Sequence, residues 1–130
     1  MGEWPHPLAD LGYVACGVER EITVNLVGQP RKVVVDLICA SPDLNHAMCA
    51  ETKSRTVPME QARKYGAMKS SDLVNFANLP DSMELSNVTH DVLYVADQDN
   101  STVVALELRN AGHAFPVLSC SDTRFVLESG

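Results

Sequence analysis

No stretch of this 130-residue chain approaches the roughly 18 consecutive apolar residues that a membrane span requires. Met1 is followed by Glu3, Trp4, Pro5 and His6 rather than by a basic, apolar leader, so the expectation is a soluble protein of the cytoplasm. Cysteine is scarce: Cys16, Cys39, Cys49 and Cys120 show no CxxC spacing. Each lies in an apolar stretch, where a reduced thiol packs as a small hydrophobe. The sharper alternative, a Cys39/Cys49 cross-strand disulfide, needs an oxidising compartment that nothing here implies. Basic residues are few, ten against 17 acids for a net charge of −7, which argues against a general nucleic-acid coat protein. There is no P-loop, GxGxxG or GxSxG, so nucleotide-dependent transfer and serine hydrolysis have no support. No internal repeat or low-complexity segment interrupts the chain. The histidines His6, His46, His90 and His113 lack paired metal spacing and read as surface or packing residues.

At 14.1 kDa, with 45% hydrophobic and 21% charged residues, the chain suits one domain over residues 1–130 with a core of its own. It is equally compatible with a domain cut from a longer protein. The positive charge is concentrated: Lys53, Arg55, Arg63, Lys64 and Lys69 are five of the ten basic residues. After Lys69 the chain carries nine acids against Arg109 and Arg124, so any phosphate-binding surface is local.

Pro5, Pro7 and Gly12 leave room for one short turn of helix at 8–11. From 18 to 26, Val18, Arg20, Ile22, Val24 and Leu26 alternate with Glu19, Glu21, Thr23 and Asn25, a half-buried strand. A turn at Gly28, Gln29 and Pro30 leads into RKVVVDLICA (31–40), apolar on both faces except at Asp36, as a central strand would be. Turn residues at 41–45 precede a third strand, HAMCAETKS (46–54), antiparallel to the second. Thr56 is placed to cap a helix over PMEQARKYGAMK (58–69), with Met59, Ala62 and Gly66 on one side. A polar stretch at 75–89 leads to a strand at 92–96. Ser101 is placed to cap a helix over 102–110, ended by Gly112. Closing strands are expected at 115–119 and 125–128. The order β-β-β-α-β-α-β indicates an α/β fold with a mixed sheet. The helix between the third and fourth strands implies a crossover, so these two run parallel if adjacent.

The chemistry rests on Asp36, Glu51 and Lys53. An E-x-K triplet alone is weak evidence, so position must discriminate. With the turn centred at Asp43 and Leu44, Ser41 faces His46, and counting outward brings Asp36 opposite Glu51, with Cβ atoms about 5 Å apart. Lys53, two residues on, shares the face of Glu51. Two neighbouring carboxylates in an apolar hairpin raise each other's pKa and lose hydration, a penalty that a divalent cation removes. Hard oxygen donors suit magnesium or manganese, and phosphodiester cleavage is the natural use of such a centre. Lys53 would orient or deprotonate the attacking water and stabilise developing charge. The bland alternative is a structural ion pair. Asp43, in the literal Pro42-Asp43, competes with Asp36 but lies at the hairpin tip, roughly 20 Å from Glu51 at about 3.3 Å per residue. Asp97 and Asp99, at the end of an expected strand, are placed to line a cleft, but the DQDNS context reads better as a loop and helix cap.

The stretch VVVDLICASPDLNHAMCAETKSRTVPMEQARKY resembles the core of the PD-(D/E)xK, or restriction-endonuclease-like, superfamily: an acid in one strand, a hairpin, ExK in the next, then a helix. The resemblance covers residues 31–65, and the remainder only by topology. It implies a restriction-endonuclease-like core, with metal held by Asp36, Glu51 and the Thr52 carbonyl, and with Lys53 catalytic. Gln61 matches a polar residue at the start of the following helix in resolvase-like and RecB-like branches, and the QARKY run strengthens the match. One departure is the N-terminus, where many relatives carry a further acid on a helix. Glu19 and Glu21 are candidate substitutes, but both read as exposed strand residues.

The expectation is therefore a magnesium- or manganese-dependent phosphodiesterase acting on DNA more than RNA. Arg55, Arg63 and Lys64 are candidates to track the phosphate backbone. The low basic content calls for a homodimer or a fused binding domain. The alternatives are a noncatalytic nuclease-like module that binds nucleic acid or mediates assembly, and a small interaction domain with an accidental ExK.

Overall fold

Residues 11–53, 58–97, 99–113, 115–121 and 124–129 are described by the computed structural model of the protein. The first strand, β1 (Val14–Leu26), turns into β2 (Gln29–Ser41) through a two-residue connection, with Leu26 paired to Gln29. Val27 and Gly28 between them have φ of 51° and 78°. Two successive positive φ values give the hairpin turn whose twist matches the flanking strands. The turn falls just before the Gly28–Gln29–Pro30 position that composition suggested, because Gln29 and Pro30 are already paired with Leu26 and Asn25.

Only Ile22 and Val24 of the alternating β1 face are buried; Val18 is 71% exposed. The pairing shifts between Ala15 and Gly17, and Glu19 has a φ of 49°, so the strict alternation expected from Val18 does not extend through these irregularities. In β2, Val33 and Val35 are buried while Val34 is 47% exposed, and burial becomes continuous from Ile38 to Ser41. The four-residue turn at 42–45, closed by the Asn45 N–H donating to the Pro42 carbonyl at 3.2 Å, delivers β3 (His46–Lys53). Ser41 pairs with His46 and Leu37 with Ala50, the register that the turn chemistry predicted.

The helical segment after β3 is divided. Helix α1 (Met59–Ala67) ends at Met68, and α2 (Ser70–Phe76) begins at once, with Asp72 accepting from the Lys69 N–H at 2.9 Å. The sequence reading expected one helix through residue 69 and none over 70–76. The buried side of α1 is also different: Ala62 and Tyr65 face inward, whereas Met59 and Gly66 are exposed. Pro58 stands at the N-cap position, and the expected cap Thr56 lies outside the described residues.

Strand β4 (Thr89–Asp97) runs parallel to β3, as the crossover required. Helix α3 (Ser101–Asn110) starts at Ser101 itself, which is buried, with Asn100 rather than Ser101 in the cap position. It stops at Gly112 (φ 82°): the Gly112 N–H donates to Arg109 and the His113 N–H to Leu108, a Schellman closure. Strands β5 (Val117–Ser121) and β6 (Arg124–Ser129) complete a six-stranded mixed sheet in the order β1-β2-β3-β4-β5-β6. Helix α1 lies against β1 and β2, α2 against β1, and α3 against β4, β5 and β6. Side chains from all three helices join one apolar cluster with Ile38, Cys49 and Tyr94. No helix among the described residues is long and apolar enough to cross a membrane.

Candidate active site

Glu51 is the third residue from the end of β3, paired in parallel register with Tyr94 of β4. Although acidic, it is only 3% exposed. Such a carboxylate needs partners, since an unpaired buried charge is strongly disfavoured. Two are present. The Tyr65 hydroxyl, carried by α1, donates to Glu51 Oε1 in a short hydrogen bond, and Lys53 Nζ lies 3.2 Å from Glu51 Oε2. Lys53 is itself largely covered, with a side chain 16% exposed.

Asp36 completes the group from β2. Its Oδ2 accepts from the Thr52 backbone N–H at 2.9 Å and from the Thr52 hydroxyl at 2.8 Å, beside Glu51 across the hairpin. The placement follows from the hairpin register, because Asp36 and Glu51 occupy the step immediately beyond the Leu37–Ala50 pair. The two acids are in different electrostatic states. Burial works upward on Asp36, but the two Thr52 hydrogen bonds, Glu51 and the Lys53 charge outweigh it, leaving its pKa below the ordinary value. Burial dominates at Glu51 and, with Asp36 adding to it against Tyr65 and Lys53, pushes that carboxyl up. Environments that drive two neighbouring carboxyls apart in this way are a mark of functional sites.

Two buried polar atoms in this region have no hydrogen-bond partner among the described residues: Tyr94 Oη and Gln61 Oε1. Tyr94 is completely buried, its ring edge-on to Tyr65 with centroids 6.1 Å apart. Gln61 precedes Tyr65 by four residues on α1, so the two stack along one side of the helix.

The other candidates are distributed as follows. Asp43 is exposed at the hairpin tip, away from Glu51. Glu21 is exposed and pairs with Lys32 at 3.4 Å on the strand surface. Glu19 is exposed and falls opposite Asp36, between the Val18–Leu37 and Arg20–Val35 pairs. Arg63 is exposed on α1, while Lys64 donates to the Lys32 carbonyl at 3.0 Å. Arg55 lies outside the described residues. Cys16, Cys39 and Cys49 are free thiols, and burial pushes Cys49 up to about 12, an inert core group. Among the described residues no three His, Cys, Asp or Glu side chains gather as a metal-ligand set.

Sequence reasoning assigned no role to Tyr65 or Tyr94. Tyr65 sits four residues after Gln61 in QARKY, and that spacing was the available signal. Tyr94 lay inside an apolar strand and carried none.

A second polar cluster occupies the opposite end of the parallel pair. His46 Nδ1 is 2.6 Å from the Tyr13 hydroxyl and His46 Nε2 is 2.8 Å from Asp91 Oδ2. His90 Nδ1 is 2.7 Å from the Ser70 hydroxyl.

No curated protein and no solved structure matches the chain significantly. The family model described as the MJECL32 domain matches residues 2–111, most of the chain. The protein therefore belongs to the MJECL32 domain family.

Proposed function

We propose that this protein is a metal-dependent nuclease with a restriction-endonuclease-like core, of the PD-(D/E)xK superfamily and nearest in pattern to its resolvase-like or RecB-like branches. The observation that carries the reading is the placement of two carboxyls, Asp36 and Glu51, at the step of the β2–β3 hairpin next to the Leu37–Ala50 pair, with the Lys53 ammonium 3.2 Å from the second, at the carboxyl end of the parallel strands β3 and β4. Ligands of open α/β sheets bind at that end of the strands.

The donor set fits magnesium or manganese. Magnesium is commonly held by one or two carboxylates, with waters and substrate phosphate oxygens completing its shell. Asp36 and Glu51 are the two carboxylates, and the Thr52 carbonyl is a further hard oxygen on the same strand. When bound, the ion supplies Lewis-acid stabilisation of phosphoryl charge and activation of water. The residues of the chain do the rest. Thr52 fixes the Asp36 carboxyl through two hydrogen bonds, and Tyr65 fixes Glu51, so neither reorients as substrate enters. Lys53, held against Glu51, presents a cation to the phosphoryl oxygens and a proton-transfer group to the attacking water. Gln61 steadies the site from α1. DNA is favoured over RNA as substrate. Arg63 and Lys64 on α1, with Arg55, would follow the phosphate backbone, and a second copy or a fused binding domain would supply the grip that ten basic residues do not.

One observation favours a noncatalytic nuclease-like module instead: both Glu51 oxygens and Asp36 Oδ2 already have donors within the chain. Cleavage of labelled duplex, branched and single-stranded substrates with magnesium or manganese separates the readings. Metal-dependent cutting that disappears in Lys53→Ala and in Asp36→Ala establishes the nuclease and its residues. An absence of cutting on every substrate, with no metal binding by calorimetry, moves the preference to the noncatalytic module.

A further inference from the structure

We propose that the Tyr94 hydroxyl holds a water molecule against Glu51, making Tyr94 a positioning residue for the hydrolysis proposed above. The catalytic part of this inference rests on that nuclease reading; the water site itself does not.

The parallel register pairs Tyr94 with Glu51, which places the two side chains on the same side of the sheet. The phenol ring is clamped, edge-on to Tyr65 at 6.1 Å and tilted against Phe115 at 5.8 Å between centroids. Its hydroxyl therefore has a fixed address. The residue is 0% exposed, yet the hydroxyl has no partner among the described residues. Both Glu51 oxygens, by contrast, are engaged by Tyr65 and Lys53. A phenol offers one donor and two acceptor sites. A fully buried phenol with none of them matched is rare in folded proteins, and a phenylalanine would serve the surrounding apolar core equally well. A polar tip kept at this place is explained by a small polar ligand.

Water is the ligand that fits. It needs two to four polar partners, and about that many are available. Glu51 accepts from it, and its carboxylate retains lone pairs beyond the two donors already seated. Tyr94 donates to it or accepts from it. The phenol stays a neutral hydrogen-bonding group throughout, because burial, and then Glu51, raise its pKa. A water held between Tyr94 and Glu51 shares the Glu51 carboxylate with the Lys53 ammonium, the pair that the nuclease reading uses on the attacking water.

The test is Tyr94→Phe, which keeps the ring and its packing. Melting is followed in metal-free buffer, and cleavage kinetics are measured with manganese on the substrate that the wild type cuts best. The expected result is a melting temperature lower by about 4 °C, since the water loses its anchor, and kcat lower by about tenfold with KM unchanged. A variant that melts at or above the wild type overturns the water site, because removing a truly unmatched hydroxyl relieves the fold. A lower melting temperature with unchanged kcat overturns the positioning role. If the wild type cuts nothing, the nuclease reading and the positioning role fail together, while the melting comparison still decides the water.

Discussion

The two ends of the β3–β4 pair carry polar clusters of similar size and opposite character. At the amino end, His46 is matched on both ring nitrogens, by Tyr13 and by Asp91, and His90 is matched by Ser70. At the carboxyl end, Asp36 and Glu51 are neighbours across the hairpin and the Tyr94 and Gln61 oxygens have no partner among the described residues. An unmatched buried polar atom costs about 1–3 kcal/mol, and a pair of like charges adds to that. The amino end is what a chain does when its polar groups serve the fold. The carboxyl end leaves two buried polar oxygens unmatched among the described residues, and the function is proposed there.

The largest effect should come from breaking the carboxyl end chemically. Lys53→Ala and Asp36→Ala are expected to lower metal-dependent cleavage by at least about a hundredfold, or roughly 2.7 kcal/mol of transition-state stabilisation. Next is the buried support. Tyr65→Phe removes a donor from the 3%-exposed Glu51 and is expected to lower unfolding free energy by about 2 kcal/mol, measured by urea titration.

At the amino end the test is pH. Burial, the largest cause, with His46 on the same side and Asp91, Asp72 and a backbone hydrogen bond at Met68 opposing, holds the His90 pKa below its ordinary value. The folded state then binds fewer protons than the unfolded one. The stability this contributes is complete above about pH 6.5. It is lost as pH falls through the lowered folded value, at no more than about 1.4 kcal/mol per pH unit. His90→Gln should flatten that acid-side slope in denaturation curves taken between about pH 7 and about pH 5. A slope equal in both proteins would remove His90 from the account. The smallest effect is expected for Asp91→Asn, because the Asp91 side chain is 68% exposed and its pairing with His46 is screened. A stability change below about 1 kcal/mol is expected, with manganese affinity unchanged by calorimetry. A loss of metal affinity there would erase the distinction between the two ends.

How much of this was legible in advance depended on the range of the interaction. The hairpin register followed from turn residues only a few positions apart, and it alone brought Asp36 alongside Glu51. The parallel β3–β4 pairing followed from the crossover. The face of α1 did not. Met59 and Gly66 have the right spacing to be buried, but Tyr65 turns inward because Glu51 supplies an acceptor under the helix, and no helical period contains that information. The division of the helical segment at Met68 and the departure of Val18 from the buried face were equally hidden, since both depend on how separate strands and helices meet.

By itself the sequence determined the alternation of elements, the E-x-K triplet with its opposing acid, and the local concentration of positive charge, all set by residues near one another in the chain. Only the tertiary structure decided that Glu51 would be buried between Tyr65 and Lys53, that Asp36 would be tied to Thr52, and that Tyr94 would stand beside Glu51 on β4 with its hydroxyl unmatched among the described residues. These are contacts between segments far apart in sequence, where burial and hydrogen-bond geometry, not residue type, set the chemistry.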